Sequence, residues 1–141
     1  IGDGRGLAAA LCLGAEGVQM GTRFICSEEC IAHPNFKEKI LKAHDLATVV
    51  TGYTTGHPVR ALKNPMTRKF EEMERRGASR EELEKFGEGK LYLGVIKGDV
   101  EEGSLMAGQI AGLIKDIKPV RVIIKEMVEE AREVLKRLSR L

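Results

Sequence analysis

The 141-residue chain carries 23 basic and 21 acidic side chains, a net charge of +2, and is 43% hydrophobic with four Phe, two Tyr and no Trp. That suits one domain of ordinary size with an aliphatic core, and the near-balance of charge argues against a nucleic-acid arm or a membrane-surface patch. Three Cys, no secretory leader and no run of about 18 apolar residues point to a soluble protein in a reducing, cytoplasmic setting. Charged residues reach 31% against two Asn and two Gln, a mix that leans toward a thermophile.

In chain order, "RGLAAALCL" (5–13) predicts a short helix, with Gly14 as its C-cap. "GVQM" (17–20), apolar and bounded by glycines, predicts a buried strand. Thr22 is positioned to N-cap a helical stretch over 23–33, and Pro34 opens a helix over 34–44. "ATVVTGY" (47–53) is β-branched and predicts a strand; His57, preceding Pro58, starts an extended segment over 56–62. "PMTRKFEEMERRG" (65–77) reads as a helix with a glycine stop. "SREELEKFG" (79–87) opens with a capping box of Ser79 and Glu82. "GKLYLGVIKG" fits no single pattern. Ser104 is placed to cap a helix "LMAGQIAGLIK" (105–115). The final helix runs from Pro119, with apolar residues at 120, 123, 124, 127, 128, 131, 134, 135 and 138. The charge runs inside 70–85 and 125–141 alternate in sign at helical spacing and read as solvated helix faces.

Two glycine turns, "GDGRG" (2–6) and "MGT" (20–22), flank one helix and one apolar run. A phosphate needs several backbone N–H groups converging on it, often at a helix start, and glycine permits the close approach. In (β/α)8 barrels such a site is built by the loops after strands seven and eight with a short extra helix. On that scheme "RFICSEEC" is the extra helix. Two tight turns with no ligand remain the alternative, because a glycine cluster alone is weak evidence. A whole barrel needs about 250 residues, so the expected fold class is α/β, the C-terminal portion of a TIM barrel with additional, mostly helical, C-terminal segments.

"IGDGRGLAAALCLGAEGVQMGTRF" closely resembles the flavin-phosphate region of the superfamily that contains FMN-dependent enoyl-acyl-carrier-protein reductase II and nitronate monooxygenase. The likeness continues through "SEECIAHPNFKEKILKA", "TGHPVRALKNPMTRKFEE" and "GDVEEGSLMAGQIAGLI", and is weakest in the last helix. "GHPVRALKN" and "GSLMAGQIAG" look more like the reductase branch.

The resemblance implies that Gly2 and Asp3, the surviving part of the first loop, and Gln19, Met20, Gly21 and Thr22 of the second line the FMN phosphate, with Arg23 nearby and of lesser weight. It implies residues 1–56 as the end of a flavin-binding barrel and 57–141 as a helical region completing the barrel and covering the flavin pocket. The implied reaction reduces the 2,3-double bond of an enoyl thioester on acyl carrier protein, with NADH or NADPH as co-substrate, in a cytoplasmic homo-oligomer. The family's catalytic His lies upstream of this chain, so no catalytic residue is assigned here. A nitronate monooxygenase is the first alternative. The second is that these 141 residues alone form an inactive helical fragment that binds FMN weakly or not at all.

Three further sets carry possible chemistry. Cys26, Cys30 and His33 share a face if 23–33 is helical, but lack a fourth ligand and read as packing, so no metal is assigned. His57 and Arg60, with Lys63, could meet a phosphate of the nicotinamide cofactor or of the pantetheine arm; a solvent-facing turn is the plainer reading. Gln109 could reach the flavin, with core packing the plainer reading.

Overall fold

The computed structural model describes residues 1–140, which divide into two compact units. The first unit joins residues 1–30 to the segment from Asp116 onward; the second is the continuous stretch Ile31–Lys115.

In the first unit, α1 (Gly4–Cys12) packs against α7 (Val120–Leu138). Alanine and leucine favour α1, and Asp3 starts it: its Oδ1 accepts from the Gly6 N–H at 3.0 Å. The buried stripe of α7 is Ile123, Met127 and Ala131, spaced by one helical turn, so this helix follows its sequence periodicity. Ile124, to one side of that stripe, and Leu135 and Leu138, along its C-terminal continuation, are exposed. At Gly4 the two backbones nearly touch. A Cβ there would sit 2.5 Å from the Met127 carbonyl oxygen and 2.6 Å from the Ala131 nitrogen. The start of α7 is held by Glu29, whose carboxylate oxygens accept from the Val120 N–H at 3.0 and 2.9 Å.

Three expectations fail in this unit. Residues 17–20 form no strand, because no strand among the described residues pairs with them. The helix over 23–33 shrinks to one turn, α2 (Thr22–Ile25). Gly21, not Thr22, is its N-cap. Beyond Ile25 the backbone turns aside to bridge to the chain before α7: Ser27 pairs in parallel with Lys118, and the Glu28 N–H donates to the Lys118 carbonyl at 3.2 Å.

The second unit begins with α3 (Pro34–Leu41), three residues shorter than predicted, capped by His33 Nδ1 accepting from the Asn35 N–H at 3.1 Å. An antiparallel hairpin follows, β1 (Thr48–Thr51) and β2 (Val59–Leu62), in the register Thr48–Leu62 to Thr51–Val59. The expected boundary after residue 56 falls within this hairpin's loop, inside one compact unit. Then come α4 (Pro65–Arg75), α5 (Arg80–Gly87) and α6 (Lys90–Val95). Both hydrogen bonds of the Ser79–Glu82 capping box are present, and Asn64 and Thr67 form a second box at α4.

The helix predicted over 105–115 is not there. Only a 3-10 turn, Gln109–Leu113, forms. Residues 104–107 run instead beside β2: the Leu62 N–H donates to the Leu105 carbonyl at 2.9 Å and the Ala107 N–H to the Arg60 carbonyl at 3.1 Å. Pairing with β2 outweighs local helix propensity in this stretch. Phe36, Ile40, Leu62, Leu83, Leu105 and Ile114 are the largest fully buried apolar side chains among the described residues, and all belong to this second unit.

Candidate functional site

The two glycine turns belong to the first unit, and they are differently equipped. At the start of α1 the amides already have anionic partners. The Gly4 N–H donates to Glu130 Oε2 at 2.7 Å and the Gly6 N–H to Asp3 Oδ1 at 3.0 Å. Asp3 Oδ2 accepts from Arg5 Nε at 2.8 Å and from its terminal nitrogen at 2.6 Å. Burial pushes the Asp3 pKa up, but the Arg5 hydrogen bond and charge and the Gly6 N–H outweigh it and hold the carboxyl below its ordinary value. A phosphate at these amides would meet two carboxylates. Asp3 therefore serves α1 with its side chain, and what it and half-buried Gly2 offer an anion is backbone.

The second turn is open. Gly21 is exposed, and a Cβ built on it meets no atom within 4 Å. Its carbonyl accepts from the Phe24 and Ile25 N–H groups at 2.9 and 3.1 Å, so the first amides of α2 lie beside it, at the helix end where intrahelical acceptors run out. Thr22 is 7% exposed, Met20 half-buried and Gln19 exposed. The Gly21 turn thus has room for an anion to approach, whereas the Gly4 and Gly6 amides at the start of α1 are already taken.

Gly2, Asp3 and Arg23 come together around a cavity of about 140 Å³, which Gln19 to Thr22 do not line. The Arg23 guanidinium is committed there, donating to the Asp116 carbonyl at 2.9 Å and to Asp116 Oδ1 at 2.7 Å. Lys118 Nζ lies 2.8 Å from Asp116 Oδ2 and 2.7 Å from Glu126 Oε2. Burial raises the Asp116 pKa, but Lys118 and Arg23 bring it net below the ordinary value. With these charges matched in place, the cavity wall is a structural ion-pair network. Asp116, Glu126 and Glu130 gave no sign of this in the sequence, since the last two sit in a charge run with ordinary helical spacing.

In the second unit, His57 is exposed in the β1–β2 loop, while Arg60 on β2 donates across the hairpin to Thr48 Oγ1 at 3.1 Å. The two do not share a site: His57 lines an apolar cavity of about 210 Å³ with Met66, Phe70, Leu83 and Leu91, and Arg60 does not. Lys63 lies on a different groove. The loop carrying His57 is shaped by Glu74 of α4, whose carboxylate accepts from the Gly52 N–H (3.2 Å), the Thr54 N–H (3.1 Å) and the Thr54 hydroxyl (2.8 Å). Burial raises the Glu74 pKa, but these donors outweigh it and hold the group below its ordinary value. Gly52, at φ +88°, makes the turn, and a Cβ there would lie 2.6 Å from the His57 carbonyl oxygen. Gln109 is exposed at the start of the 3-10 turn.

The helical face that was to align Cys26, Cys30 and His33 does not form, and among the described residues no group of three or more His, Cys, Asp or Glu is arranged to hold a metal. No helix among the described residues is long and apolar enough to cross a membrane.

A sequence profile described as nitronate monooxygenase matches residues 1–130. The chain belongs to the nitronate monooxygenase family. Within it, a probable nitronate monooxygenase of Staphylococcus saprophyticus is 33% identical over 137 residues, spanning 97% of this chain and 38% of that relative. A nitronate monooxygenase of Neurospora crassa is 34% identical, spanning 99% of this chain and 38% of its own length. Among solved structures, FabK from Thermotoga maritima superposes with a TM-score of 0.94 at 50% identity, covering 99% of this chain and 44% of that one. A nitroalkane oxidase from Streptomyces ansochromogenes superposes with a TM-score of 0.79 at 25% identity, covering 98% and 39%. The chain thus spans less than half the length of these relatives. The superfamily resemblance holds, and the fold class is that of the C-terminal portion of a TIM barrel with additional helices.

Proposed function

We propose that this family member works as an FMN-dependent oxidoreductase of the enoyl-acyl-carrier-protein reductase type, reducing the 2,3-double bond of an enoyl thioester with NADH or NADPH. The observation that carries this reading is the 50% identity to FabK over 99% of the chain, against 25% to the nitroalkane oxidase. Gly21 and Thr22 would hold the FMN phosphate, with Gln19 and Met20 beside them; Gly2 and Asp3 line a different cavity and are left out of this site. When bound, the flavin supplies the hydride chemistry. The chain's own part is to offer amides at the α2 start and to exclude competing anions from α1, whose amides are already taken by Asp3 and Glu130. The proposed setting is a cytoplasmic homo-oligomer; a monodisperse monomer by light scattering would overturn that part.

Turnover is tested with a crotonyl thioester and reduced nicotinamide, followed at the nicotinamide absorbance band. FMN-dependent oxidation is expected, and its absence sinks the reductase reading. The relatives named nitronate monooxygenase favour a second reading. Oxygen uptake with a nitronate, without thioester reduction, would establish it. The site itself is tested by Gly21→Asp. Gly21 has φ −105° and open space above it, so the fold tolerates a side chain, while the carboxylate opposes the phosphate. FMN affinity should fall by about tenfold or more in flavin fluorescence titration. Unchanged affinity would remove Gly21 from the site.

A further inference from the structure

The apolar cavity of about 210 Å³ in the second unit contains two hydroxyls that the fold does not use. Its walls are Val59 of β2, Met66 and Phe70 of α4, Leu83 of α5 and Leu91 of α6, with Met106, bridged to Ala61 of β2, at one side. Thr51 and Ser104 line it as well, and both are more than nine-tenths buried, at 6% and 8% exposure. Their backbones are committed. Thr51 pairs with Val59 across the hairpin, and the Ser104 N–H donates to the Lys90 carbonyl at 2.8 Å. Neither hydroxyl makes a hydrogen bond among the described residues. No side-chain polar atom sealed away from solvent lacks a partner there, so both hydroxyls open onto the cavity and not into the packed interior. Thr55, on the same wall, is the contrast: its hydroxyl donates to the Gly52 carbonyl at 2.9 Å and accepts from the His57 N–H at 3.3 Å.

A hydroxyl this far from bulk water costs free energy until something in the cavity bonds to it. Apolar walls with a few convergent polar groups are the make-up of a small-molecule site. The two rim residues of opposite charge are already paired: Glu84 with Arg80 at 2.7 Å, and Lys90 with Glu102 at 3.1 Å while it lies over the Phe86 ring at 5.1 Å. The cavity therefore favours an uncharged ligand. Phe70 and the sulfurs of Met66 and Met106 suit a flat ring, since thioethers and ring edges both pack well on aromatic groups. Size agrees, because an apolar cavity of ~150 Å³ already holds benzene. We propose that this cavity binds a small, uncharged aromatic molecule with one hydroxyl or carbonyl group, its ring against Met66, Phe70 and Leu83 and its polar group on Thr51 and Ser104. The site lies wholly within Ile31–Lys115 and holds for either the reductase or the nitronate reading.

The probes are p-cresol and toluene, alike in shape and different in the hydroxyl, titrated by calorimetry into the full-length FMN-loaded protein. The expected result is binding of p-cresol about tenfold or more tighter than toluene. T51V/S104A should bring p-cresol down by about the same factor and leave toluene unchanged. Gly87→Leu tests the location. Gly87 borders the cavity, and a Cβ there meets only Phe70 Cε2, at 3.9 Å, so a larger side chain can fill the space without striking backbone. It should abolish binding of both probes with the circular dichroism spectrum unaltered. If T51V/S104A loses its fold, the wild-type comparison and Gly87→Leu still decide. Absence of binding by either probe overturns the proposal. So does equal affinity of the two for the wild type, which would leave the hydroxyls to water. Unchanged p-cresol affinity in Gly87→Leu also overturns it, by placing the probe elsewhere, the flavin pocket included.

Discussion

Asp3 at the start of α1 and Glu74 at the β1–β2 loop each order the backbone beside them, and each has a measurable signature. Asp3 joins the cap of α1 to an ion pair with Arg5. Replacing it by Ala should lower stability by about 1 kcal/mol in urea unfolding, while Asp3→Asn, which can still cap, should cost clearly less. The folded-state pKa of Asp3 lies below its ordinary 3.8. Its contribution is therefore complete above that value and is lost as pH falls through the depressed pKa. Glu74 has the same sign and a different readout. Its folded-state pKa lies below 4.5, so the amides of Gly52 and Thr54 should stay protected from hydrogen exchange at neutral pH and lose protection only in acid below 4.5. Glu74→Gln should speed exchange at both amides at pH 7. Unchanged rates would show that the loop stands without it. Neither carboxylate's role was readable beforehand. Asp3 sat in a motif that suggested a ligand, and Glu74 sat in a charge run whose spacing describes any solvated helix.

At the scale of elements, α1 and α7 meet along Gly4, Ala8 and the Ile123–Met127–Ala131 stripe. Gly4→Ala should cost about 1–3 kcal/mol, because the added carbon meets backbone atoms that cannot rotate aside. Met127→Ala should cost about 2–5 kcal/mol through the cavity it leaves. Chemical denaturation measures both, and a neutral Gly4→Ala would mean the helices separate without loss. The elements whose sequence logic is local were legible: the Ser79–Glu82 capping box and the 3.6-residue period of α7 both appear as read. The failures share a cause. Residues 105–107 have helical composition but are drawn beside β2, and residues 26–28 leave the helix to pair with Lys118. In each case partners distant in sequence supply the hydrogen bonds, and a local pattern cannot register them. Residues 17–20 show the converse, a strand-like run with no pairing partner among the described residues. The glycine turn at 20–22 was visible in the sequence but its helix was read too long, and the carboxylates that fill the α1 amides come from Asp3 nearby and from Glu130, 126 positions after Gly4.

At the scale of the whole molecule, the two units differ in how the chain builds them. Ile31–Lys115 is continuous and has its own buried set, including Phe36, Leu62, Leu83 and Leu105. Made as an isolated peptide, this stretch should show helical circular dichroism and one cooperative unfolding transition; a featureless melt would refute its autonomy. The first unit is split around it, and the hydrogen bond from Gly4 to Glu130 spans 126 positions. During synthesis this has a temporal meaning. The amide of Gly4 leaves the ribosome 126 residues before its acceptor exists. The second unit can condense meanwhile, and by holding Ile31–Lys115 compact it shortens the effective loop that α1 and α7 must close. The pairing of α1 with α7 therefore has to follow synthesis of the second unit, and a nascent chain halted before residue 120 should expose α1 to protease while Ile31–Lys115 already resists it.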